Sequence, residues 1–260
     1  NAELYLQRVG DERDLRLTDN PAADHSPALS ADAAKVAFVS ERSGDPDLWV
    51  LDFVGTPPAQ LTNDPAPDYD PVWSPDGTKI AFTSERDGNP EIYVADADGA
   101  NPTRLTNAAG LDRHPAFSPD GTKIAFTSDR SGNLDVWVMN SDGAGVTAVT
   151  ANPAADYDPA WSPDGATLAY VSERDGNPEL YLSKAGADTR FTNTPAAEQE
   201  PAWSPDGQWL ACAALTAGDA ELFALTVTDD RVQRLTVSLG LNTWPAWSAL
   251  PTVRARLARR

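Results

Sequence analysis

A chain of 260 residues is long enough for two ordinary domains, and its 41% apolar content suffices for a substantial core. Its 39 acidic residues against 20 basic ones give a net charge of −19, which argues against nucleic acid as a partner, because phosphate recognition needs clustered Lys and Arg. No apolar run approaches the ~18 residues of a helical membrane span, and the single cysteine, Cys212, excludes an internal disulfide.

Taken in chain order, residues 1–6 (Asn-Ala-Glu-Leu-Tyr-Leu) match 89–94 (Asn-Pro-Glu-Ile-Tyr-Val), and 14–18 read as a closing strand. The chain therefore starts halfway through a structural unit. From Pro27 onward one phrase recurs, clearest as Pro-x-Trp-Ser-Pro-Asp-Gly. Its prolines are Pro27, Pro71, Pro115, Pro159, Pro201 and Pro245, in steps of 44, 44, 44, 42 and 44 residues. A period of about 40–45 residues with strand patterning marks propeller blades of four strands each.

In the unit 71–106 the pattern predicts strands over 71–74, 79–84, 91–95 and 103–106. The first two are joined by Ser74-Pro75-Asp76-Gly77, where Pro pre-sets φ and Gly accepts positive φ. A polar loop over 85–90 and a turn over 96–101 complete an antiparallel meander. The middle strands are nearly continuous in apolar residues, as expected of sheets covered on both faces. At the far end 244–248 reads as a first strand and 252–257 as a second. Two strands from each terminus would then share one blade, and pairing them leaves no open edge. The expected fold is all-β: a six-bladed β-propeller with four antiparallel strands per blade, closed by strands from both termini. It forms a single domain over 1–260, with blades about 25–62, 69–106, 113–150, 157–192 and 199–236 and a sixth shared by 1–18 and 243–258.

The succession Trp-Ser-Pro-Asp-Gly, Ile-Ala-Phe-x-Ser-x-Arg, Asp/Glu-Ile-Tyr-Val, Asp-Gly and Leu-Thr, clearest over 73–106, 117–150 and 161–192, resembles the PD40, or WD40-like, repeats of TolB-type β-propellers. The resemblance implies a six-bladed ring around a central channel, a periplasmic or extracellular location, and docking of partner proteins and peptides at the channel. Similar propellers flank serine peptidases, and related ones occur in metal-dependent lyases. The first residue is Asn1 and the only methionine is Met139, which points to an upstream segment that was removed or left out; a cleaved export signal is one of two explanations, and a start chosen within a longer chain is the other.

In this family the segment before each repeat proline leads into the innermost strand at one channel mouth. Three residues before the prolines stand Asp24, Asp68, Asp112, Asp156, Glu198 and Asn242; one before stand Ser26, Asp70, His114, Asp158, Glu200 and Trp244. Between them lie His25, Tyr69, Arg113, Tyr157, Gln199 and Thr243. Eight carboxylates are thus expected on one rim, where like charges favour a bound cation. The expected ligand-binding set is Asp68, Tyr69, Asp70, Asp112, Arg113, His114, Asp156, Tyr157, Asp158, Glu198, Glu200 and Trp244. Asp24, Asp68, Asp112 and Asp156 are candidate ligands for calcium or another divalent cation. The competing expectation is that these side chains only accept hydrogen bonds within their loops. The acidic balance itself suits a protein or cationic-peptide partner, and equally serves the solubility of a monomer.

Arg42, Arg86, Arg130 and Arg174 each precede an acid by five residues (Asp47, Glu91, Asp135 and Glu179), which suggests structural ion pairs across the loop. Trp73, Trp161, Trp203 and Trp247, with Phe117 and Leu29, share one repeat position and are expected to pack between blades. Asp96-x-Asp98-Gly99 opens like a calcium loop, but Asn101 and Asn107 stand where Gly and Glu are required, so a hairpin turn is expected. No nucleophile elbow or phosphate-cradling Gly loop exists. The expected role is a non-catalytic binding module at an acidic channel mouth. The alternatives are an enzyme-associated propeller, either a channel-metal lyase using His114 or a serine peptidase's propeller, and a purely structural or engineered repeat unit.

Overall fold

The computed structural model describes residues 1–7, 14–216, 219–229, 231–236 and 242–247. Strands β1 (Tyr5–Gln7) and β2 (Asp14–Arg16) form a two-stranded antiparallel sheet. Five four-stranded antiparallel meanders follow. The first blade comprises β3 (Asp24–Leu29), β4 (Lys35–Ser40), β5 (Asp47–Asp52) and β6 (Ala59–Gln60). The second comprises β7 (Asp68–Trp73), β8 (Lys79–Ser84), β9 (Glu91–Asp96) and β10 (Thr103–Arg104). The third comprises β11 (Asp112–Phe117), β12 (Lys123–Ser128), β13 (Asp135–Asn140) and β14 (Thr147–Ala148). The fourth comprises β15 (Asp156–Trp161), β16 (Thr167–Ser172), β17 (Glu179–Lys184) and β18 (Ala187–Arg190). The fifth comprises β19 (Ala197–Trp203), β20 (Trp209–Leu215), β21 (Ala220–Thr226) and β22 (Val232–Arg234). No helix among the described residues is long and apolar enough to cross a membrane.

The middle strands fall where the pattern predicts them. The first strands begin three residues earlier than expected, so the rim acids are strand residues. The outer strands are shorter, two residues in the first three blades. Short outer strands leave little unpaired edge. The predicted closing strand over 252–257 lies outside the described residues.

The core lies between blades. Strands β4, β8, β12 and β16 are buried along nearly their whole length, which explains their unbroken apolar runs. The expected interblade position is occupied as anticipated. Trp73 packs on Val39 and Leu48 of the blade before it, and Phe117 packs on Ala81 and Ile92. Trp161 and Trp203 repeat this, and Leu29 and Leu17 both pack against the cluster of Leu4, Val36 and Phe38 where the first blade meets the terminal sheet. The indoles of Trp73 and Trp203 also donate to the carbonyls of Ala28 and Ala160 at 3.1 Å, tying neighbouring blades.

The terminal sheet copies the outer half of a blade. Leu4 N donates to Thr18 Oγ1 at 3.0 Å, as Ile92 N does to Thr106 Oγ1 at 2.9 Å. Asn1 reaches the carbonyls of Asn20 and Ala22, as Asn89 reaches those of Ala108 and Gly110. Arg16 pairs with Glu3 at 2.7 Å, as Arg104 does with Glu91.

Candidate binding site

Strands β3, β7, β11, β15 and β19 neighbour one another in succession. Each slips register near its start: between His25 and Ala28, Tyr69 and Val72, Arg113 and Ala116, Tyr157 and Ala160, and Gln199 and Ala202. Such bulges re-aim a side chain. The residue before each repeat proline carries the distortion. Ser26, Asp70, His114, Asp158, Glu200 and Trp244 all have positive φ, between 50° and 57°. Left-handed backbone at a non-Gly residue costs roughly 1–3 kcal/mol and persists only where its surroundings enforce it.

These distorted residues meet. His114 Nδ1 lies 2.5 Å from Asp158 Oδ1, and His114 Nε2 lies 3.6 Å from Asp70 Oδ2. Asp70 accepts from Thr83 Oγ1 at 2.9 Å, and Asp158 N donates to Thr127 Oγ1 at 3.1 Å. Glu200 accepts the backbone N–H of Trp244, whose ring sits 5.1 Å from that of His25. The cluster thus draws on residues near the start of the chain and on others close to its end.

Their charges are coupled. Burial opposes a proton on His114, but the carboxylates of Asp158 and Asp70 outweigh it and hold its pKa up to about 10. Glu200 is pushed up to about 7, by burial first and then by Asp158 and Asp70, against the Trp244 amide and His114. Burial lowers the pKa of His25, whose Nδ1 lies 3.0 Å from Ser26 Oγ.

The residues three before the prolines behave differently. Asp24, Asp68, Asp112, Asp156 and Glu198 are buried. The four aspartates pair with Arg42, Arg86, Arg130 and Arg174 at 2.6, 3.0, 2.7 and 2.9 Å. This corrects the expected pairing of those arginines with acids five residues ahead. Asp24 and Asp47 both lie opposite Ser40 in register, on either side of it, and Arg42, anchored on Ser40 Oγ at 2.7 Å, turns toward Asp24. Each guanidinium also covers an aromatic ring of the third strand, for example Arg174 over Tyr181 at 4.4 Å and Arg86 over Tyr93 at 4.8 Å. The candidate metal ligands Asp24, Asp68, Asp112 and Asp156 therefore already neutralise a cation of the protein itself. Among the described residues no group of three or more His, Cys, Asp or Glu is placed to hold a metal ion.

Tyr69, Arg113, Tyr157 and Gln199 are half-buried beside the cluster. Arg113 pairs with Glu85 at 2.7 Å, and the Tyr157 hydroxyl donates to Glu173 at 3.3 Å. Asp129 accepts from Leu111 N at 2.8 Å, and the charge of Glu41 acts on His25. Glu41, Glu85, Asp129 and Glu173 form a second acidic set that the sequence reading missed. The signal was available, because each stands directly before one of the recurring arginines.

Antiparallel four-stranded blades, packed face to face with inner strands adjacent, define a β-propeller whose inner-strand starts share one charged cluster. The chain belongs to the TolB β-propeller domain (PD40) family, whose model matches residues 1–110, 103–192 and 159–251. TolB from Acinetobacter baumannii is similar at 27% identity and TM-score 0.81, over 90% of this chain and 59% of that one. The chain thus spans 59% of the length of that relative. A putative TolB from Agrobacterium tumefaciens is similar at 22% identity and TM-score 0.77, over 85% and 83% of the two chains. A puromycin-hydrolyzing peptidase of Mycobacterium tuberculosis shares the fold at 20% identity and TM-score 0.65, over 91% of this chain and 42% of that one. No curated protein matches the chain in sequence.

Proposed function

We propose that this propeller is a non-catalytic binding module that engages a cationic peptide or protein segment at an acidic channel mouth. The observation that carries the reading is the convergence of Asp70, His114, Asp158, Glu200 and Trp244 on one cluster through the left-handed residue that recurs before each repeat proline. Strain of this kind collects where a surface is shaped for recognition. Carboxylates supply charge, and Trp244, Tyr69 and Tyr157 supply rigid contact area, with Arg113 setting selectivity. Asp24, Asp68, Asp112, Asp156 and Glu198 support the rim from behind. The arginine pairs favour a peptide cation over a divalent metal as the ligand.

The ring is inferred to have six blades, the sixth shared between the termini within a single domain over 1–260. Three features support this. The terminal sheet copies a blade's outer half. Asn242 N donates to Ala220 O at 2.9 Å, as Asp68 N, Asp112 N and Asp156 N do to Pro46, Pro90 and Leu134. Trp244 then has the φ of a rim residue and reaches His25 of the first blade. Family membership supports a periplasmic or extracellular setting, and the acidic surface a monomer. The same fold serves a peptidase, so turnover is the rival reading, in which a hydrolase domain would accompany the propeller. Calorimetric titration with arginine- and lysine-bearing peptides tests the proposal. Asp70→Asn with Asp158→Asn is expected to weaken binding at least tenfold while changing thermal stability little. Lost stability with unchanged binding contradicts it.

A further inference from the structure

We infer that His114 is a built-in surrogate for the partner's cation, seated between Asp70 and Asp158 in the place an arginine guanidinium of the ligand takes. This deepens the proposed binding role and rests on it. Three observations lead there. First, the flanking blades both present aspartate at the distorted position, while the blade between them presents an imidazole. Its two nitrogens address the two carboxylates, Nδ1 at 2.5 Å and Nε2 at 3.6 Å. Second, the imidazole is not locked in a core. Its side chain is 42% exposed, with Nδ1 turned inward toward Asp158 and the rest of the ring reachable, and it sits on left-handed backbone with φ 52°. Third, the charges around it favour a cation in that seat: Asp70, Asp158 and Glu200 from the second, fourth and fifth blades, which outweigh burial of the imidazole and the charge of Arg113 on its own strand.

The shape of the seat selects among cations. An imidazolium is planar and turns a charged edge toward each of two separate carboxylates, here at ion-pair range of 2.5 Å from Asp158 and a longer 3.6 Å from Asp70. A guanidinium is also planar, with donors fanned to opposite sides, whereas an ammonium is a compact point charge. Arginine is therefore the residue that reproduces both contacts. Within the same cluster, exposed Trp244, held by Glu200 and placed against His25, offers a flat surface to an apolar or aromatic residue of the same segment. A ligand must displace His114, which then sets a threshold against weakly matching cations.

The test uses methylguanidinium and methylammonium as probes, titrated calorimetrically into the wild-type chain, His114→Asn and His114→Gly. Both substitutions suit left-handed backbone, which keeps folding intact; a thermal melt checks this for each. The expected result is at least tenfold tighter methylguanidinium binding in both variants than in wild type, with methylammonium gaining less. Adding Asp158→Asn to His114→Asn should abolish the gain. Equal methylguanidinium affinity in wild type and both variants, or an equal gain for methylammonium, overturns the surrogate role. A wild-type chain that binds no arginine peptide, beside variants that do gain methylguanidinium, would instead overturn the binding function and leave the seat's chemistry standing.

Discussion

At the residue scale, the chain separates two kinds of acid that look alike in sequence. Asp68 and Asp70 are two positions apart, yet Asp68 is buried against Arg86 and Asp70 faces the shared cluster. A strand alternates sides at every residue, so positions 68 and 70 would ordinarily share a face. The bulge at Asp70 breaks that rule. Removing the buried pair's cation should cost far more than touching the rim. Arg86→Ala leaves an uncompensated charge at Asp68 and is expected to destabilise by about 3–5 kcal/mol, measured by urea unfolding. A loss below about 1 kcal/mol would show that Asp68 reaches water. The recurring Asp, Arg and aromatic positions were visible as a pattern, but their partnership was not. Sequence spacing offered Asp47 to Arg42, and the strand register turned it to Asp24 instead.

At the element scale, the fifth blade departs from the others. Thr216 stands where Arg42, Arg86, Arg130 and Arg174 stand in their blades, so Glu198 lacks the guanidinium that Asp156 has. Glu198 turns instead to Thr192, Thr194 and the carboxyl of Glu179 on the preceding blade. Burial, and then Glu179, push Glu198 up to about 7, while the Thr192 hydroxyl and Arg190 hold Glu179 low despite its burial. The folded chain therefore binds a proton at Glu198 that the unfolded chain, with an ordinary pKa near 4.5, has released. This contribution to stability is complete below pH 4.5 and is lost as pH rises through about 7. Melting temperature is expected to fall between about pH 4.5 and 7, the window that Glu198 shares with Glu200, and Glu198→Gln to lessen that slope by holding a neutral group there. An unchanged slope in Glu198→Gln would place the titrating group elsewhere, Glu200 being the next candidate.

At the scale of the whole molecule, alternate blades share chemistry. In the second and fourth, Tyr93 and Tyr181 donate to Asp87 and Asp175, and Arg104 and Arg190 pair with Glu91 and Glu179. In the first and third, Trp49 and Trp137 take the aromatic place, and Ser43 and Ser131 bond Asp47 and Asp135. This two-blade rhythm accords with the near-identical segments 84–89 and 172–177. It also sets Asp70 and Asp158 on either side of His114. The terminal sheet follows the even pattern through Glu3, Tyr5 and Arg16. Its core contribution is Leu4, buried with Val36 and Phe38 of the first blade. Leu4→Ala is expected to cost about 2–5 kcal/mol of global stability by urea unfolding, because opening this junction exposes the face of the first blade. A silent Leu4→Ala would mean that the terminal sheet is dispensable to the ring.

The sequence by itself determined the blade, its turns, its middle strands and its interblade aromatics. Each is a local consequence of hydrophobic run length, of Pro-Asp-Gly turn chemistry and of a repeat that puts the same residue at the same junction. It also located the segment that carries the candidate site. The tertiary structure decided which acids of that segment are free and which are buried. That outcome depends on a bulge at each inner strand and on which side of Ser40, Ser84, Ser128 and Ser172 each arginine falls. Both are matters of register between strands, which no single strand encodes. The meeting of His114 with Asp70 and Asp158, and of Trp244 with His25, likewise exists only because blades distant in the chain turn their inner strands toward a common centre.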